Sequence, residues 1–233
     1  MIPPLKNSLC IHALTDDLKF LNPVKNRMIK LLGPQLKVCE LIDPASHVST
    51  IIELRKATVG FVVIFAHGSG NYLRGGEYRS RTTGEAVEID KFLTRKDLSA
   101  FKGKVVFCMS CESNDLAEGC LKAGALAFVG FEKIPFNRFD ADGNTIGSAV
   151  LVMHCQKLIE GAIKASLERF LTSRASLDET VDYLRLWINK NAVAYVRKYK
   201  NVKERHEVAA LLLKLKDGVR YHGPLGIRFE SNP

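Results

Sequence analysis

No stretch of the chain comes near the ~20 consecutive apolar residues that a membrane-crossing helix needs. A membrane segment is therefore not expected. The opening residues, MIPPLKNSLCIHALTDD, carry one early lysine but no long apolar core followed by small residues, so they do not resemble a secretory signal. The expected setting is the cytoplasm. Internal repeats, low-complexity tracts and dividing linkers are missing too, and 233 residues can bury a sizeable core without covalent staples. One domain over residues 1–233 is the expectation. The six cysteines, at positions 10, 39, 108, 111, 120 and 155, have neither the density nor the loop spacing of a disulfide scaffold. They are expected to be reduced.

What is present is ordinary for a folded chain: 46% hydrophobic and 25% charged residues, which excludes disorder. Lysine and arginine outnumber the acids by 34 to 25, giving a net charge of +9 that favours acidic partners or serves solubility. The excess gathers in RGGEYRSR (74–81), KFLTRKDLSAFKGK (91–104) and YVRKYKNVKERH (195–206). The last interleaves Tyr195 and Tyr199 with cations. Without a recognisable nucleic-acid module it reads as a solvated helix face, and nucleic acid is not an expected partner.

Short β-rich runs alternate with helical patterns. SLCIHAL (8–14) is followed by a helix over 18–32 closed by Gly33-Pro34, then by LKVCELI (36–42) and the helical HVSTIIELRKA (47–57). Such alternation predicts a parallel sheet with crossover helices, a doubly wound α/β arrangement. GFVVIFA (60–66) and KVVFCMS (104–110) are unbroken apolar runs, as strands covered on both faces are. LAFVGFE (126–132) follows a helix over 114–123 that stops at Gly124, a suitable residue just past a helix end. Helical spacing returns over 146–172, 177–202 and 207–215, and VRYHGPLGIRF reads as turn plus strand. The polar stretch 71–90 is expected as a small hairpin or mobile loop beside the sheet edge.

In an open parallel sheet, function gathers outside the carboxyl ends of the strands. VVIFAHGSG (62–70) ends its apolar run at His67, and KVVFCMSCES (104–113) ends its own near Cys111. If those two strands are neighbours, thiol and imidazole face each other across the rim as a nucleophilic dyad. A helix beginning just after Cys111 would lower its thiol pKa. Gly68 allows close backbone approach, and its N–H can serve a developing oxyanion. Acyl transfer is the implied chemistry. Each residue also has a plainer reading, His67 as a hydrogen-bonded strand-end residue and Cys111 as a small core residue.

Cys108 and Cys111 also form C-x-x-C, a pattern of redox pairs and zinc half-sites. A redox pair needs both sulfurs in the turn and first helical residues, whereas Cys108 lies within the apolar run. Zinc needs two more ligands, and Cys120 and His154-Cys155 lack a matching spacing. Cys108 is expected in the core.

An apolar block ending in His-Gly, followed some forty residues on by one ending in Ser-Cys-Glu-Ser, resembles the caspase-like cysteine peptidases, most closely their CHAT-type branch. DLAEGCLKAGALAFVGFE (115–132), IEGAIKASLERFL (159–171) and DGVRYHGPLGIRF (217–229) look like that branch's next helix and strand, following helix and closing hairpin. The resemblance spans 59–229 loosely, and only the His-Gly and Cys-Glu-Ser blocks are specific. It implies an α/β, caspase-like three-layer fold with a mostly parallel central sheet flanked by helices.

It further implies His67 as general acid/base, Cys111 as nucleophile, and the N–H groups of Gly68 and Cys111 as oxyanion hole. No cofactor or metal is implied. The partners implied are a protein substrate and, with no sensor module in the chain, a regulatory protein, in a bacterial defence or programmed-death setting. Self-cleavage in the arginine-rich loop 74–81 is a further implication. A non-catalytic protein-binding module is the alternative. Three positions depart from the pattern: Asn114 follows Cys-Glu-Ser, EKIPF (132–136) replaces the usual tryptophan, and Met109 stands where metacaspase-like members carry an acid. Glu132, Asp140 and Asp142, after the fifth strand, are the substitute substrate-binding carboxylates, each also readable as a surface residue.

Overall fold

The computed structural model describes residue 5 and residues 7–79, 83, 86–88, 91–135 and 147–230. In chain order its elements are β1 (Ser8–Ala13), α1 (Asn22–Leu32), β2 (Leu36–Leu41), α2 (Pro44–Leu54), β3 (Phe61–Phe65), β4 (Gly68–Ser69), β5 (Tyr72–Leu73), β6 (Glu77–Arg79), β7 (Ala86–Glu88) and β8 (Leu93–Thr94). There follow β9 (Val105–Met109), α3 (Asn114–Lys122), β10 (Ala127–Gly130), α4 (Ala149–Thr172), α5 (Leu177–Lys198), α6 (Arg205–Gly218) and β11 (Arg220–His222). None of the helices is long and apolar enough to cross a membrane, among the described residues.

The central sheet runs β11-β10-β9-β3-β1-β2, parallel throughout except for β11 against β10. β1, β3 and β9 are buried along their whole length, as their uninterrupted apolar sequences require of strands with both faces covered. Neighbouring positions on a strand face opposite ways. Phe61 of β3 meets Phe170 of α4, while Cys108, at the opposite parity in the paired strand β9, has Cys120 of α3 as its neighbour. The sheet is thus sandwiched between α4 with its companions α1, α5 and α6 on one side and α2 and α3 on the other. This is the expected three-layer α/β arrangement.

Two boundaries that differ from the sequence expectation trace to a proline and to a cap. The helix expected over 18–32 is split into a 3-10 turn, Asp16–Leu21, and α1, because Pro23 is suited to a first helical turn and not to an interior. α2 starts ahead of the expected residue 47. Asp43 accepts from the Ser46 N–H and Ser46 Oγ accepts in return from the Asp43 N–H, a capping box lying before the apolar periodicity begins. Within 71–90 the expected hairpin appears as β6 paired with β7, beside a small antiparallel unit β4-β5-β8. Most of the tip joining β6 to β7 lies outside the described residues.

The basic segment at the end of α5 places its rings and cations on different sides. Tyr195 is buried, Tyr199 is half-buried, and both lie against His154 of α4, at 5.3 and 5.8 Å between ring centroids. Arg197, Lys198 and Lys200 are exposed. Rings committed to the α4 contact are not free to stack on bases.

Candidate active site at the carboxyl edge of the sheet

β3 and β9 are adjacent, and Phe65 pairs with Met109 at their last register position. The Ala66 N–H donates to the Met109 carbonyl just beyond, so the two chains leave the sheet level with each other. His67 and Cys111 each lie two residues past that last pair. The structure therefore brings the two residues named from the sequence to one sheet edge.

The loops that carry them are pressed together. A methyl group on Gly68 would overlap Ser110 Oγ and lie 2.9 Å from the Tyr72 carbonyl, so only glycine fits. One on Gly70 would overlap the Asp115 carboxylate. Arg95 ties the same two loops by donating to the Gly70 carbonyl at 2.9 Å and the Asp115 carbonyl at 3.5 Å. Sequence reasoning missed Ser110, Arg95 and Asp115, because their role depends on which loops meet.

The candidate oxyanion donors follow from the hydrogen-bond pattern. The Arg74 N–H donates to the His67 carbonyl, which makes 67 and 74 a bonded pair of the β4–β5 ladder. Gly68 and Leu73 are then the intervening unbonded pair, and the Gly68 N–H points away from β5. The Cys111 N–H has no backbone acceptor among the described residues. Glu112, next in the chain, has φ +56°, a left-handed conformation that costs a non-glycine residue about 1–2 kcal/mol. Strain of this kind immediately after a candidate nucleophile fixes the direction of the turn into α3.

The side chains themselves diverge. His67 Nε2 lies 3.1 Å from Thr15 Oγ1 and 3.9 Å from Asp17 Oδ2, both beyond the end of β1. Cys111 turns the other way, beyond β10: its Sγ accepts from the Ile134 N–H at 3.4 Å and faces the Ile134 carbonyl at 3.7 Å. Thr15 and Asp17 were also missed. Their signal was the Thr-Asp-Asp run directly after a strand, legible only once β1 is known to flank β3.

The thiol departs from expectation. Burial pushes the Cys111 pKa up, the Ile134 N–H opposes this, Glu112 adds to it and Lys133 opposes it. The start of α3 at Asn114 does not outweigh the loss of solvent, so the resting sulfur is held as the thiol. Cys108 is fully buried with its pKa also raised by burial, as a core cysteine should be, and it does not share a turn with Cys111 as a redox pair would.

Of the proposed substrate-binding carboxylates, Glu132 is exposed and paired with Arg220 of β11 at 3.4 Å. Its backbone, not its carboxylate, joins the site: the Glu112 N–H donates to the Glu132 carbonyl, and the Glu132 N–H to the Gly218 carbonyl, both at 3.1 Å. Asp140 and Asp142 lie outside the described residues. Asn114, which departs from the family pattern, donates from Nδ2 to the Gly218 carbonyl at 2.8 Å and fastens the start of α3 to the end of α6. No family model matches the chain, and no curated protein matches it.

Proposed function

We propose that this chain is a cysteine-type endopeptidase that cleaves a protein substrate through His67 and Cys111. The observation that carries the reading is the parallel register of β3 and β9, which ends both strands level and delivers an imidazole-bearing and a thiol-bearing loop to one edge. In the reaction the Cys111 proton passes to His67 and the sulfur attacks the scissile carbonyl. The N–H groups of Gly68 and Cys111 receive the oxyanion. His67 protonates the leaving amine, the C–N bond breaks, and water then hydrolyses the thioester to release the acid and restore the thiol. Thr15 and Asp17 orient the imidazole from its Nε2 side. Membership of the CHAT-type caspase-like branch, with a role in bacterial defence or programmed death and control by a partner protein, rests on the sequence resemblance.

A positional peptide library incubated with purified protein tests this. Cleavage that disappears in Cys111→Ala, with the fold intact, supports the reading, and turnover that survives the substitution rejects it. A second reading, a non-catalytic binding module, draws on the hydrogen-bonded thiol and the divergent side chains. Selective labelling of Cys111 by iodoacetamide favours the enzyme, whereas equal slow labelling of several cysteines favours the module.

A further inference from the structure

We propose that residues 132–135 act as a built-in strap, covering the Cys111 sulfur until something displaces it; this rests on the peptidase reading. One residue of the strap engages the sulfur twice, with the Ile134 N–H donating to Sγ and the S–H facing the Ile134 carbonyl. A single residue offers both backbone groups to one side when it is extended, as a strand residue does toward its neighbour. Pro135 imposes this: its ring disfavours the helical region for the residue before it and pushes Ile134 to extended backbone.

The strap is also anchored. At its start the Glu132 backbone is hydrogen-bonded on both sides, to Glu112 and to Gly218. At its end the Ile134 and Pro135 side chains are buried, while Lys133 just before them faces solvent. A polypeptide reaching Cys111 must take the space now filled by the Ile134 backbone, and the sulfur must leave these bonds before it can approach a carbonyl. The raised thiol pKa agrees with such a covered state. Divergence of His67 toward Thr15 agrees as well, since the dyad has nothing to act on while the strap is down.

Substituting Pro135→Gly frees the backbone of Ile134 without touching the sulfur, and Ile134→Gly removes the buried side-chain anchor. The rate of iodoacetamide labelling at Cys111 is read by peptide mass spectrometry at neutral pH, with half-buried Cys39 in the same digest as a reference. Labelling of Cys111 is expected to rise at least about tenfold in either folded variant, equivalent to one pKa unit of thiolate, with Cys39 unchanged. Unchanged Cys111 labelling in both folded variants overturns the strap, as does a parallel rise at Cys39. The readout needs no turnover, so the two readings fail separately. A released Cys111 that labels fast yet cleaves no library peptide keeps the strap and removes the peptidase, and cleavage with unaltered labelling does the reverse.

Discussion

Gly68 packs directly onto the side chain of Ser110, the one residue before the candidate nucleophile touching the one residue after the candidate base. Gly68→Ala therefore forces the two loops apart, against a Tyr72 carbonyl that is backbone and has little room to move. A stability loss of about 1–3 kcal/mol is expected from overpacking. A fall in kcat/KM of about a hundredfold is expected from displacing an oxyanion donor. Ser110→Ala is the companion change. Its buried hydroxyl has no hydrogen-bond partner among the described residues, so its removal is expected to leave stability unchanged or raised, and Gly68→Ala/Ser110→Ala to recover part of the lost stability in thermal melts.

Thr15 and Asp17 are predicted to serve turnover rather than binding. Thr15→Val removes the hydroxyl 3.1 Å from the His67 nitrogen, and kcat is expected to drop about tenfold with KM nearly constant. Asp17 is about half exposed and lies farther off, so Asp17→Asn should cost less, about threefold. A rise in KM at constant kcat would place these residues in substrate binding instead.

His12 gives the fold an acid-sensitive point behind the same segment. Fully buried in β1, it lies with Nε2 3.3 Å from the Leu18 carbonyl, on the turn that carries Asp17. Burial, assisted by Lys25, lowers its pKa from 6.5 to about 4. A lowered pKa means that the folded state resists protonation. The stabilisation is complete above the unfolded value near 6.5 and is lost as the pH falls through the folded value near 4, a change of about 3 kcal/mol. Urea melts at pH 7, 5.5 and 4 should show this slope. His12→Phe should flatten it while costing about 1 kcal/mol at pH 7 for the lost hydrogen bond. An unaltered slope in the variant would assign the acid sensitivity elsewhere.

The elements that position the site were legible because their sequences admit little else. VVIFA and VVFCM have no polar position to turn toward water, so they read as strands covered on both faces, and their positions before His67 and Cys111 then follow. Capping and local breaks were harder: Asp43 and Ser46 precede the apolar pattern that announces α2, and Pro23 restarts a helix whose periodicity runs on unbroken. Contacts made by backbone left almost no trace. Only the proline after Ile134 hints that this residue meets a sulfur twenty-three positions earlier. The expected low thiol pKa failed because the helix end was visible in the sequence and the burial was not.

Whether His67 and Cys111 work as a pair is decided in the strap-released Pro135→Gly chain. Cleavage of a positional peptide library would be followed in that background alone, with His67→Ala and with Cys111→Ala. Turnover is expected in the first and none above background in the other two. Equal turnover in all three, or no turnover from a folded chain whose Cys111 labels rapidly, would contradict the pairing.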